Sequence, residues 1–139
     1  MHKILSLALL TCMSSVQAGE LSVDINCFSD AKGKINLEFR SYSDADAGPV
    51  GGQVRYRQSK TFIPVVYKQT TTLREVEDRP WEFQHTWLEV LDADITGQYD
   101  MVTQGALIYS FTYTSKRTGK TIDLSKQTYT DESGKCTWQ

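Results

Sequence analysis

Hydrophobic side chains recur at every second position in two segments, and this period restricts the possible fold more than any other feature of the chain. Ile35, Leu37 and Phe39 alternate with polar residues, and a second alternating run lies near the carboxyl terminus. A period of two places successive side chains on opposite faces of a β-strand. Both segments therefore predict half-buried antiparallel strands. The apolar and aromatic face of the second strand would consist of Leu107, Tyr109, Phe111 and Tyr113.

Seven further segments have the composition of strands and are separated by residues typical of turns. They are Leu21–Cys27, Gln53–Arg57, Phe62–Tyr67, Thr70–Val76, Gln98–Thr103, Thr121–Thr128 and a short terminal piece at Cys136–Trp138. Short strands at this spacing predict an all-β fold, either a small antiparallel β-barrel or a sandwich, with about eight to ten strands. We favour the barrel because closure removes exposed sheet edges.

Further segments have distinctive local signals. Trp81–Leu91 matches the period of a strand, which we favour, and also that of one short helix. Pro64 has no N–H for a sheet ladder, so its strand is expected at an edge or with a bulge. Glycine and proline make Ser43–Gly52 typical of a long surface loop, and Asp94–Gly97 typical of a turn.

Residues 1–18 are typical of a secretory signal peptide. Lys3 precedes a short apolar run, and small residues lead to the bond between Ala18 and Gly19. The run is shorter than the roughly 20 apolar residues that span a bilayer, so we expect no transmembrane segment. Cleavage after Ala18 would leave a single β-rich domain, residues 19–139, in the periplasm or secreted. Lipid attachment at Cys12 is the alternative interpretation.

Removal of the leader leaves two cysteines, Cys27 and Cys136. In an oxidising compartment we expect them to form one disulfide that ties the first strand to the last residues. Two separate thiols, or a metal pair, are the other interpretation. That interpretation is weak because His85 is the only histidine beyond the leader and no close group of cysteine and histidine exists for zinc.

Charge gives no support for nucleic-acid binding. The whole chain has 15 Lys and Arg against 17 Asp and Glu, a formal net charge of −2. A mildly acidic chain of mixed charge has no general attraction for phosphate backbones or anionic membranes. We therefore expect neither a nucleic-acid partner nor binding to a membrane surface.

Catalytic and metal-binding patterns are also weak, so the sequence predicts no enzyme, no cofactor and no metal site. A serine or cysteine nucleophile needs a base, and His85 is the only candidate. Asp92-Ala93-Asp94 begins like a calcium loop, but Thr103 stands where the closing glutamate is required. Other acids are interpreted as a solvated face rather than as a glycosidase pair. These acids are Glu75, Glu77, Asp78, Glu82 and Glu89.

Two groups of residues are candidate partner-binding surfaces. Lys116, Arg117 and Lys120 lie in a predicted hairpin tip that would fit an acidic cleft of a partner. Trp81, His85 and Trp87 would form an aromatic patch around a pH-sensitive group. The simpler interpretations are a charged tip that prevents aggregation and a histidine packed among large rings.

The order of features along the chain resembles that of the periplasmic lysozyme inhibitors of Gram-negative bacteria: a signal peptide, an early cysteine after a first strand and a final cysteine close to the carboxyl end. The resemblance concerns this layout only, because the Ser-Gly loop that those inhibitors insert into the enzyme has no counterpart here. It implies an exported protein-binding module, of the inhibitor or immunity type, with a protein partner outside the cytoplasm. The alternatives are a small apolar-ligand carrier and a subunit of an envelope or surface assembly.

Overall fold

The computed structural model describes residues 19–128 and 130–138, which form a closed barrel of eight antiparallel strands. The strands are β1 (Leu21–Ser29), β2 (Asn36–Asp44), β3 (Gly48–Tyr56), β4 (Ile63–Arg74), β5 (Glu82–Leu91), β6 (Asp94–Gln104), β7 (Leu107–Ser115) and β8 (Thr121–Gln127). The described residues contain no helix. The predicted all-β class is confirmed, and the structure is a barrel rather than a sandwich. Trp81–Leu91 forms a strand from Glu82 onwards.

Each strand pairs with its neighbour in the chain, and β1 pairs with β8 to close the barrel. This last contact is short, with Cys27, Phe28 and Ser29 opposite Gln127, Lys126 and Ser125. The signal-peptide prediction, including Cys12, concerns residues outside the described part of the chain.

Large side chains fill the interior. Phe28 stacks on Phe111 with their ring centroids 3.9 Å apart, and Phe39 makes edge contacts with Phe111 and Trp87. The buried core consists of Phe28, Leu37, Phe39, Val54, Val65, Trp87, Tyr99, Met101, Phe111 and Leu124. A barrel of eight strands is just wide enough to be filled in this way.

The predicted loop at Ser43–Gly52 is wrong. β2 continues to Asp44 and β3 begins at Gly48, so only residues 45–47 connect them. The glycines belong to β3, where a Cβ at Gly51 would lie 3.0 Å from the carbonyl oxygen of Val65 and one at Gly52 would overlap the backbone of Arg40. Here glycine permits close approach of neighbouring strands instead of forming a turn.

The two strands predicted at Phe62–Tyr67 and Thr70–Val76 are one strand, β4. Register shifts between Tyr67 and Gln69 and between Thr72 and Arg74 let it bend without a break. Pro64 is the second residue of β4 and pairs with Gln53, whereas pairing with β5 begins at Val65. The strand therefore accepts proline near its start although β4 lies between two neighbours, not at an edge.

The predicted face of β7 is only half correct. Phe111 is buried and Tyr113 packs against the core, but Leu107 and Tyr109 are exposed. The pairing shifts between Val102 and Thr103, so that Thr103 lies opposite Ile108 and Tyr109 is the extra residue of a bulge. A bulge reverses the inward and outward alternation of the residues beyond it.

The predicted disulfide between Cys27 and Cys136 is present, with a Cα–Cα distance of 5.7 Å. It holds the carboxyl-terminal segment against the outer wall of the barrel. The backbone N–H of Cys136 donates to Glu38, which Arg40 and Arg55 also contact. Glu38 is only 1 % exposed, although its alternation with Leu37 and Phe39 predicted an open polar face.

Candidate functional site

The up-and-down topology brings alternate connections to the same end of the barrel. Connections β1–β2, β3–β4, β5–β6 and β7–β8 lie at one end, and the other three lie at the opposite end with the start of β1. The first group has seven cations and two carboxylates, and we call it the basic end. Its cations are Lys32, Lys34, Arg57, Lys60, Lys116, Arg117 and Lys120.

The opposite group carries the reverse charge, and we call it the acidic end. Its charged residues are Glu20, Asp46, Glu75, Glu77, Asp78 and Arg79. All seven cations of the basic end are solvent-exposed, and within the described residues none of them forms an ion pair. The small net charge of the chain therefore hides a strong separation of charge along the barrel axis.

The β7–β8 hairpin presents three of these cations on an ordered turn. The N–H of Ser115 donates to the carbonyl of Lys120 at 3.0 Å, and that of Gly119 donates to Ser115 at 2.8 Å. Gly119 has a φ of 67°, a conformation that glycine adopts without strain. The N–H of Lys116 donates to the carbonyl of Thr96 at 3.0 Å, which fixes the base of the hairpin to β6.

A buried carboxylate lies directly behind this hairpin. Glu89 is 5 % exposed and accepts hydrogen bonds from Tyr99 (2.7 Å), Thr96 (2.8 Å) and Tyr113 (3.0 Å). The hydroxyl of Tyr56 continues the network to Tyr99 at 3.0 Å. A buried carboxyl group is tolerated when its oxygens are hydrogen-bonded. The hairpin is therefore anchored to a polar network inside the barrel.

The tyrosines of this network are held in their neutral form. Burial raises the pKa of Tyr99 and of Tyr113 well above the ordinary value, and the nearby Glu89 carboxylate adds to both increases. Burial also raises the pKa of Tyr56. Phenol groups that keep their protons remain hydrogen-bond donors to Glu89 across the physiological range.

A cavity of about 690 Å³ opens beside the hairpin. Lys116 and Arg117 line it, together with Tyr113 and Thr96 from the Glu89 network. Among the described residues, Asp94 is the only acidic one that lines it. This arrangement places two cations beside a concave surface, where acidic groups of a docked partner can contact them.

Trp81, His85 and Trp87 lie at the other end of the molecule. His85 and Trp87 lie on one face of β5, and Trp81 immediately precedes the strand. Trp81 is exposed, whereas Trp87 lies in the core. Trp87 is buried, as the simpler interpretation of these aromatic residues predicts. The six predicted contact residues thus lie in two separate regions, and Trp87 belongs to the core rather than to a surface.

His85 uses both ring nitrogens inside the structure. Nδ1 lies 2.9 Å from the Thr70 hydroxyl, and Nε2 lies 3.0 Å from the Thr103 hydroxyl. Partial burial lowers the pKa of His85 below its ordinary value. The ring is therefore neutral near pH 7 and accepts a hydrogen bond from one threonine.

Sequence reasoning found the basic hairpin but missed its surroundings. Arg57 and Lys60 lie at the same end of the barrel as the hairpin, and this follows only from the strand order. Glu89 was interpreted as solvated, and the structure contradicts this. A signal for its burial does exist, because Glu89 continues the inward series of Phe83, His85 and Trp87 at a spacing of two.

No protein-family profile, curated protein or solved structure matches this chain. Across residues 19–128 and 130–138 no helix is suited to crossing a membrane. In the same residues His, Cys, Asp and Glu side chains form no group of three or more with the geometry of a metal site.

Proposed function

We propose that this protein is an exported binding module of the inhibitor or immunity type, which inserts its basic end into an acidic cleft of a partner protein. The observation that carries the proposal is the set of seven exposed cations, free of ion pairs in the described structure, on three of the four connections at this end. Exposed charge of one sign attracts an oppositely charged surface of a partner and orients it before contact.

Rigidity of the scaffold supports the same function. The barrel is closed and crosslinked, and the Glu89 network fixes the base of the hairpin. Connections held on a rigid scaffold lose little conformational entropy when a partner binds. The protein therefore needs no rearrangement to present Lys116, Arg117 and Lys120 together.

The chemistry of the basic end favours an enzyme cleft as the target. Glycoside hydrolases place a pair of carboxyl groups in a substrate groove, and both groups must be accessible for catalysis. A hairpin that carries three cations complements such a groove and would block it without any chemistry of its own. Export of the protein would bring it to hydrolases that act outside the cytoplasm.

Affinity capture tests the proposal. The 19–139 domain is immobilised and exposed to periplasmic and secreted extracts, alongside the variant Lys116→Ala/Arg117→Ala/Lys120→Ala. A matched control, Lys68→Ala/Arg79→Ala/Lys135→Ala, removes three exposed cations that lie outside the basic end. We expect wild type and control to retain one stoichiometric protein and the hairpin variant to bind it about tenfold or more weakly.

The captured protein also provides a functional assay. Its hydrolytic activity should fall when the wild-type domain is added and should recover with added salt, because exposed charges are screened. Retention of no protein by the wild type, or equal affinity of the hairpin variant and the wild type, would contradict the proposal.

A further inference from the structure

A second cavity, of about 420 Å³, opens at the acidic end of the barrel. Its volume lies within the range of about 300–1,000 Å³ that is typical of small-molecule sites. Its lining combines polar and aromatic side chains with the apolar residues Pro49, Met101, Ala106 and Ile108. Its polar lining includes Asp24, Asn26, Ser41, Ser43, His85 and Thr103.

Several of these polar groups are not used within the protein. The side chains of Asp24, Asn26 and Ser41 have no hydrogen-bond partner among the described residues. Trp87 also lines the cavity; it is only 4 % exposed, and its Nε1–H is buried without an acceptor in the described structure. The unpaired side chains of Asp24, Asn26 and Ser41 line the cavity and can hydrogen-bond a ligand there.

Aromatic rings lead from this cavity to the surface. Trp87, His85, Phe83 and Trp81 follow one another along one face of β5, with centroid distances of 6.0, 6.3 and 6.4 Å. Trp81, at the outer end, is 43 % exposed. We call this series the aromatic ladder. Its successive ring faces suit an elongated ligand that extends out of the cavity.

The charges around the cavity nearly cancel. Asp24 contributes a carboxylate, Lys126 contributes an ammonium group, and His85 is held neutral by partial burial. Such a lining offers hydrogen-bond donors and acceptors without favouring either an anion or a cation. It also disfavours a fatty chain, which would leave these polar groups unpaired.

We propose that this cavity binds a neutral saccharide, with one sugar unit among Asn26, Ser41 and Trp87 and any further units along the aromatic ladder. Sugars combine hydroxyl groups, which donate and accept hydrogen bonds, with apolar C–H faces, which pack on aromatic rings. The side chains of Asn26 and Ser41, unpaired within the described residues, supply hydrogen-bond partners for the sugar hydroxyls.

Saturation-transfer NMR on the 19–139 domain tests this site directly. The probes are glucose, galactose, mannose and N-acetylglucosamine, each also as its β-linked disaccharide and trisaccharide. We expect transfer to the ring protons of at least one series, with tighter binding of the longer members. In Trp81→Ala the longer saccharides should bind no more tightly than the monosaccharide. The control Tyr109→Ala changes an exposed aromatic residue outside the ladder and should leave the affinities unchanged.

Asn26→Ala/Ser41→Ala removes two polar side chains that line the cavity. We expect it to weaken saccharide binding by about fivefold or more, since hydrogen bonds between the cavity wall and the ligand are lost. If its NMR spectrum shows loss of the fold, Asn26→Ala takes its place with the same expected direction. The hairpin variant Lys116→Ala/Arg117→Ala/Lys120→Ala should bind the saccharide normally, so this proposal and the proposed function fail independently.

Three results would overturn the proposal. The first is absence of transfer to every saccharide, and the second is binding that neither Trp81→Ala nor the cavity variants change. The third is preferential binding of free glycine or alanine that Asp24→Asn abolishes, which would identify a site for zwitterionic amino acids instead.

Discussion

Tyr113 lies across β6 because residue 97 has no side chain. A Cβ at Gly97 would overlap the Tyr113 ring, and the Tyr113 hydroxyl would lose its place at Glu89. The same position was interpreted from sequence as a turn glycine. The turn is instead at Asp92 and Ala93, both with positive φ, and β6 begins at Asp94.

Gly97→Ala should therefore destabilise the barrel by about 1–3 kcal/mol, as expected when a methyl group is forced into a packed site. The cost should be smaller in a Tyr113→Ala background, because the overlapping ring is gone. Urea unfolding of the four proteins in this double-mutant cycle measures the coupling. Equal costs in both backgrounds would show that Gly97 has another role.

His85 makes stability depend on pH in a defined direction. Its pKa is lowered in the folded protein from an ordinary value of 6.5, so the unfolded chain binds the proton first as the pH falls. Stability is thus complete above about pH 6.5 and declines as the pH falls toward the folded pKa.

Urea unfolding of the 19–139 domain between pH 8 and pH 5 checks this expectation. His85→Gln should have a flatter profile across that range than wild type, since His85 is the only histidine in the domain. Asp44 and Asp131 also lose stabilising interactions in acid, but their pKa values lie below 3.8, outside this window. Identical profiles for the two proteins would contradict the assignment.

Among the structural elements, the carboxyl-terminal segment depends most on one covalent bond. The disulfide joins residues 109 positions apart. The same segment donates a hydrogen bond from the backbone N–H of Cys136 to the Glu38 carboxylate. In the chain-entropy account a crosslink over a loop of this length stabilises by about 4–5 kcal/mol. The segment adds no strand to the barrel and makes only an isolated bridge between Thr130 and Cys136.

Cys27→Ala/Cys136→Ala should accordingly lower the free energy of unfolding by about 4–5 kcal/mol. Amide exchange should increase in residues 130–138 more than in the strands β4 to β6. A variant with nearly unchanged stability would indicate that barrel closure through β1 and β8 is sufficient without the crosslink.

The sequence predicts an element correctly where the periodicity of its own residues determines the structure. It fails where the structure depends on contacts or register with a neighbouring strand. The inward alternation of β2 and the pairing of the two cysteines follow from residue type and spacing. Gly51, Gly52 and Gly97 were misinterpreted because a glycine gives the same local signal at a turn and at a close approach of strands. The bulge at Tyr109 was likewise invisible, since it depends on the register with β6.

In the molecule as a whole, the strand order places cations at one end of the barrel and carboxylates at the other, although the net charge of the chain is small. The sequence predicts one basic hairpin, but the other cations join it only when the barrel closes in chain order. Charge separation of this kind orients a partner before contact. The same topology keeps the proposed saccharide cavity away from the basic end.

The central claim, that the basic end is the contact surface, is tested most directly by amide hydrogen exchange of the 19–139 domain, free and bound to its captured partner. We predict that binding slows exchange in connections 57–62 and 116–120 and leaves residues 45–47 and 75–81 unchanged. Slower exchange confined to residues 45–47 and 75–81 would contradict the claim.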